Sequence, residues 1–247
     1  LTDIELEIGG QKIDKHSGAW METWAELTEP NPSGRIGALR NGTTQGTLFQ
    51  NMSGTGGTGT NNTSGLAGRR YFLPLQFWFC RNPGLALPLI ALQYHEVKVI
   101  LNHLYGDSDF AITGNTLFCD YIYLDTDERR RFAQVSHEYL IEQVQEQTLT
   151  NVAGSSDLNF NHPVKELIWI RNSGGFASDG CMDSVASSNS TYQLKLNGHD
   201  RFTARDYRYF TRTQVWQHHS GAGGLNCASQ SPADGAFNDG IAVYSFA

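Results

Sequence analysis

Four groups of residues in this 247-residue chain have types and spacings that could do chemistry. Asp125-Thr126-Asp127-Glu128 follows an apolar run, and a D-x-D after a strand can hold a divalent metal and a nucleotide-sugar diphosphate in glycosyltransferases. The same residues read as a helix start, in which Asp125 accepts from the amide of Glu128 and Glu128 reaches back. That cap is local, complete and needs no partner, so it is the preferred reading. His218-His219 with Cys227 supplies metal-ligand types, but adjacent histidines on a strand point to opposite faces. No C-x-x-C or H-x-x-x-H spacing accompanies them, and the H-x-H with a downstream glutamate that a cupin would use is absent. His95, between Tyr94 and Glu96, reads as a structural histidine rather than a general base. Gly54, Gly56 and Gly59 spell G-x-G-x-x-G, yet a dinucleotide site needs a strand before that motif and a helix after it, and neither flanks it. No nucleophile elbow occurs. Nothing assembles an acid, a base and an oxyanion site, so the sequence predicts no catalytic residue, cofactor or metal, and no enzyme.

The elements that would position such groups are strands. Ile4, Leu6 and Ile8 alternate with Asp3, Glu5 and Glu7 until Gly9-Gly10 ends the run. Trp20, Trp24 and Leu27 follow at helical spacing and predict a short amphipathic helix. The stretch Tyr71–His103 organises the chain, with three apolar runs each about the length of a strand. Leu73, Leu75, Phe77 and Phe79 share one face at period two, and Phe72, Trp78 and Cys80 the other, which predicts a strand buried on both faces. Arg81-Asn82-Pro83-Gly84 is a turn; Leu85–Leu92 is a second run, interrupted by Pro88; Val97, Val99 and Leu101 mark a half-buried third. Further strands are predicted at Leu117–Leu124, Glu138–Thr148, Leu158–Ile170 and Ile241–Phe246, with Tyr192, Leu194 and Leu196 alternating in another. Phe77, Trp78 and Trp169 are predicted core residues.

Composition narrows the class. Glycine is high, at 26 residues, and charged residues make up only 17%, which fits a loop-rich β protein better than a helical bundle. A net charge of -7 disfavours broad contact with phosphate backbones, so no direct nucleic-acid partner is expected. The arginine run Arg129-Arg130-Arg131 stands without a second basic cluster and reads as a solvated or subunit-facing surface. No run of 18 apolar residues exists, hence no predicted membrane span. The four widely spaced cysteines do not form a disulfide framework and fit a reducing compartment. Residues 30–68, including SGTGGTGTNNTSGLAG, read as an exposed loop. Glycosylation sequons begin at Asn41, Asn51, Asn61 and Asn189, where chance matches in polar loops are the simpler explanation.

Several phrases carry a family resemblance, in order along the chain. LPLQFWFCRNPGLALPLIALQYHEV resembles the signature segment of the major capsid proteins of nucleocytoplasmic large DNA viruses, of the iridovirus and algal-virus type. ELEIGGQKID, DTDERRRFAQ, NHPVKELIWI, LKLNGHDRF with RDYRYF, and VYSFA resemble the same family. The resemblance implies an all-β double jelly roll, two antiparallel β-sandwiches with long loops and short helices: 1–150 the first jelly roll, 151–247 the second. It implies a homotrimeric capsomer that contacts neighbouring capsomers and minor capsid proteins in an icosahedral virion shell, assembled in the host cytoplasm. It also implies a longer protein, with opening strands before ELEIGG and closing strands after VYSFA. The alternatives are a glycan-binding jelly-roll module of lectin type, and a glycosyltransferase using Asp125 and Asp127.

Overall fold

Alternating apolar residues at the start of the chain form strand β1, Asp3–Ile8, as the pattern predicts. Gly9 and Gly10 take φ values of 60° and 80°, the left-handed pair a two-residue hairpin turn requires. The chain returns antiparallel as β2, Gln11–Ser17, with a bulge that leaves Ile13 unmatched between the pairs Leu6–Asp14 and Glu7–Lys12. Helix α1, Gly18–Thr28, follows at once, its Trp20 amide donating to Ser17 Oγ at 3.1 Å. The structure, a computed structural model, describes residues 2–30, 72–102, 114–150, 154–171, 184–186, 189–221, 223 and 239–246. The predicted loop at 30–68, the sequons at Asn41, Asn51 and Asn61, the glycine motif and Cys227 lie largely or wholly outside those residues. The chain divides into two units, Leu1–Met21 with Leu75–Asn159, and Glu22–Pro74 with Phe160–Ala247.

In the first unit, β3 (Val97–Asn102) pairs antiparallel with β1, giving a three-stranded sheet in the order β2-β1-β3. Ile4 and Leu6 are buried on its inner face against Met21, Phe77 and Trp78, with Leu75, Val97, Val99 and Ile141 packed around them. Phe77 is fully buried and Trp78 is 6% exposed. The predicted strand over 73–79 is not one. The chain forms no ladder up to Phe77, which is extended, and then winds into helix α2, Trp78–Arg81. An apolar run with both faces buried is compatible with either form, and here the Asn82-Pro83 corner brings the ring pair inward on a helical turn. The predicted strand over 85–92 is also absent, because Pro83–Leu85 is a 3-10 turn and further turns occupy 89–94. Asn82 Oδ1 anchors that corner by accepting from the Gly84 amide at 2.9 Å.

Two more predicted strands form no ladder among the described residues. Residues 117–124 lack ladder partners among the described residues, and Leu117, Phe118, Tyr121, Ile122 and Tyr123 are exposed rather than buried. Residues 138–148 likewise form no ladder among the described residues; Gln143 Nε2 donates to Ile13 O and the Val144 amide to Asp14 Oδ1 at the β2 bulge. Between them Asp125 caps helix α3, Thr126–Gln134.

The second unit is built on one antiparallel pair, β4 (Glu166–Ile170) and β9 (Ile241–Ser245). Only the last five residues of the predicted 158–170 strand are ladder-forming. Both strands are apolar at every inner position because both faces are covered. Ile168, Ile170, Ile241 and Val243 pack with Leu27 and Val215 on one side. Leu167, Trp169, Ala242 and Tyr244 pack with Phe210, Phe202 and Tyr192 on the other. The predicted Tyr192–Leu196 strand is two short pieces, β5 (Thr191–Tyr192) and β6 (Lys195–Leu196), paired with β8 (Arg205–Asp206) and β7 (His199–Asp200). A π-helical turn, Tyr209–Thr213, runs into α4, Gln214–His218. The described residues are thus strand-rich with small helices.

Candidate functional site

The residues singled out for chemistry are occupied structurally. Asp125 Oδ1 accepts from the Glu128 amide at 2.8 Å, which is the N-cap of α3. Asp127, almost fully exposed, faces Arg130 one turn on, at 3.7 Å. The D-x-D residues therefore serve a helix end. His218 and His219 do not lie on a strand, contrary to the sequence reading; they end helix α4, His218 as its last residue and His219 as its C-cap. His219 Nε2 sits 2.8 Å from Glu166 Oε1 and meets the edge of Trp24 at 6.0 Å. His95 caps the β1–β2 turn: a Cβ built on Gly9 would come within 2.6 Å of its Nδ1, so the ring lies on bare backbone that only glycine offers. Among the described residues, no group of three or more His, Cys, Asp or Glu could hold a metal ion.

Three polar constellations escaped the sequence reading. The first is on β2, where Asp14 and His16 occupy inward positions opposite Leu6 and Ile4. Their side chains are each 1% exposed, with His16 Nε2 3.0 Å from Asp14 Oδ2. The other carboxylate oxygen accepts from the amides of Lys15 at 2.9 Å and Val144 at 3.1 Å. The His16 ring stacks on Phe77 with centroids 4.5 Å apart. The i, i+2 spacing of KIDKH does put both groups on one strand face, but a strand this polar gives no alternation to detect.

The second is Asp3, which links all three strands of its sheet. Asn102 Nδ2 on β3 donates to its Oδ1 at 2.6 Å, and Lys15 Nζ on β2 meets its Oδ2 at 2.9 Å. The Asn102 and Lys15 donors hold its carboxyl below the usual value, against the opposing effect of burial. The third is Asp239, at the entry to β9. Arg212 Nε and Nη2 reach its two oxygens at 2.9 Å and 2.7 Å, and Thr211 Oγ1 adds a further donor. Arg205 completes an aromatic surface nearby in sequence, its guanidinium 4.3 Å from the Tyr209 ring centre. Asn189, the one sequon asparagine described, is exposed at φ 75° just before β5.

All three constellations tie backbone segments together, and none presents an unsatisfied nucleophile or an open ligand set. The geometry is that of a scaffold, in which buried polar groups fix where strands and connections lie.

Comparison with known proteins agrees with that character. Residues 1–125 match the family model described as "Major capsid protein N-terminus", and residues 128–247 match "Large eukaryotic DNA virus major capsid protein". The chain is 46% identical to the major capsid protein of Pyramimonas orientalis virus, over all of this chain and 62% of that protein. It is 35% identical to the major capsid protein of Paramecium bursaria Chlorella virus 1, over all of this chain and 61% of that protein. Among solved structures, a chain of the PBCV-1 virus capsid superposes with a TM-score of 0.66 at 32% identity, covering 100% of this chain and 64% of that one. The chain thus spans about three fifths of the length of these relatives.

Proposed function

Because the chain belongs to the large eukaryotic DNA virus major capsid protein family, we propose that it is the repeating building block of an icosahedral virion shell. The observation that carries this reading is the match of both halves, in order, to the two parts of one capsid family. The superposition on a virus-capsid chain across the whole length of this one supports it. Its mechanism is assembly rather than catalysis. Two jelly rolls, residues 1–150 and 151–247, present sandwich sides to neighbouring subunits, and three copies close into a pseudo-hexagonal capsomer. Capsomers then meet one another and minor capsid proteins in the host cytoplasm, and the shell is the protein's final location. The polar anchors at Asp3, Asp14 and Asp239 support a role in which strands must hold one geometry through repeated contacts.

The test is the native mass of the full-length protein purified from virions or expressed in host cells. The expected result is a species of three subunits, with interfaces on the scale of thousands of Å² characteristic of obligate assemblies. A stable monomer that never enters particles would overturn the reading.

A further inference from the structure

The hairpin of β6 and β7 carries a dipeptide that can react with itself. Asn197 and Gly198 form its two-residue loop, at φ 51° and 81°, the pair of positive values a type I′ turn requires. Residues 195–201 are all exposed, while Leu194 and Phe202 at the feet pack against the cluster of Phe210, Ala242 and Tyr244. The arms are two residues each, and the Lys195–Asp200 ion pair across them spans 3.6 Å between exposed groups. Such a pair adds little stability, and a short two-stranded ribbon is marginal by itself. The tip therefore opens locally at small cost while its feet stay fixed.

An asparagine followed by glycine can close a five-membered ring, in which the glycine nitrogen attacks the asparagine side-chain carbonyl carbon. Glycine puts no side chain beside that nitrogen, so the approach is open. The closed turn forbids the reaction. A type I′ turn holds its first residue at ψ of about 30°, which sets the Gly198 nitrogen across the Cα–C bond from Asn197 Cβ. Ring closure needs those two atoms on the same side, so it runs through the opened tip. One comparable step, Asp239-Gly240, falls among the described residues. There Arg212 takes both carboxylate oxygens, Thr211 donates to one of them, and Asp239 is buried. The chain thus holds one poised step and one blocked step.

We propose that Asn197-Gly198 is a self-modification site. The Gly198 nitrogen bonds to Asn197 Cγ, its proton leaves with the side-chain nitrogen as ammonia, and water opens the succinimide to aspartate or isoaspartate. Either product adds one negative charge. Isoaspartate also adds a carbon to the main chain, so the two-residue turn cannot close again. The test incubates the full-length protein in heavy-oxygen water at mildly alkaline pH and maps its peptides by mass spectrometry. Residue 197 should lose its amide nitrogen and take up label, with isoaspartate identified by fragmentation, while Asp239 stays unlabelled. Lys195→Cys with Asp200→Cys supplies a clamp. These positions lie between the Leu196–His199 pair and the Arg201 amide bond to Leu194 O at 2.9 Å, so they form the close pair a disulfide fits. Oxidised, the clamp should slow conversion about 10- to 100-fold, the scale on which cross-linking a short loop disfavours its open form. Reduction should restore the rate, and the parent's own map carries the test if the clamp does not form. Residue 197 left intact while a free peptide of residues 194–201 converts would overturn the proposal. Equal label at Asp239, or a rate indifferent to the clamp, would overturn it too.

Discussion

Arg212 grips Asp239 with two arms of its guanidinium, Nε to Oδ1 at 2.9 Å and Nη2 to Oδ2 at 2.7 Å. The pair joins the π-helical turn to the residue that leads into β9, and the Asp239 carbonyl also accepts the Val185 amide at 2.8 Å. Burial alone would push the Asp239 carboxyl up. The Arg212 and Thr211 donors, with the charges of Arg212 and Arg208, outweigh it and hold the group below its ordinary value.

A carboxyl depressed in the folded state adds stability that is present above its unfolded value, about 3.9, and lost as pH falls through the lower folded value. Arg212→Gln should therefore cost about 1–2 kcal/mol at neutral pH, toward the low end for a charged hydrogen bond because the guanidinium is half exposed. The difference from the parent should shrink as pH falls below about 4, where the unfolded carboxyl takes up its proton first and the folded one follows at lower pH. Urea unfolding at neutral and acid pH measures both.

Phe77→Ala should cost about 3–5 kcal/mol, the range for deleting a buried aromatic side chain. The ring is fully buried, stacked on His16 and 5.7 Å from Phe79, so its loss leaves a cavity beside the Asp14–His16 pair. Trp169→Ala, at a half-buried site between Tyr192 and Phe210, should cost less. Denaturant midpoints rank the two.

Asp125→Ala should destabilise α3 by about 1 kcal/mol through loss of its N-cap. Asp127→Ala should have no measurable effect, since its side chain is exposed and its contact with Arg130 is 3.7 Å long. Titration calorimetry with manganese and a nucleotide sugar should give no heat with the parent protein; a binding isotherm abolished by either change would restore the glycosyltransferase reading.

Gly221→Ala should cost about 1–3 kcal/mol, the range for overpacking. A Cβ there would lie 2.2 Å from the Glu26 carbonyl oxygen, while the Gly221 amide donates to Leu27 O at 2.7 Å. The obstacle is backbone, which cannot rotate aside, so a fall in Tm is the expected readout.

The strands whose alternation meets one core were legible in the chain. Ile4, Leu6 and Ile8 predicted β1, Val97, Val99 and Leu101 predicted β3, and the two-faced run Ile241–Phe246 predicted a strand covered on both sides. The helix over Trp20–Leu27 and the cap at Asp125 were legible because their signals are local. Trp78–Arg81 was misread because a continuous apolar run has no period to separate helix from strand. β2 was missed for the opposite reason: its inward residues are Asp14 and His16, polar groups satisfied by partners far away in sequence, such as Val144. No local pattern contains that information. The same holds for Asp239, whose partners lie 27 and 28 positions upstream.

The three-stranded sheet joins contacts of very different range. Ile8 meets Gln11 across the Gly9-Gly10 turn, yet on its other side meets Val97, 89 positions later. The hairpin can zip early, in microseconds, while β3 must wait for a long loop to close. Once that closure is made, its entropy rises only with the logarithm of loop length, by about 0.6 kcal/mol for each doubling. The connection between α1 and α2 is therefore a place where kinship can diverge in length at little thermodynamic cost. A change of length between Pro30 and Phe72 can leave the register of Ile4 with Leu101 as it is.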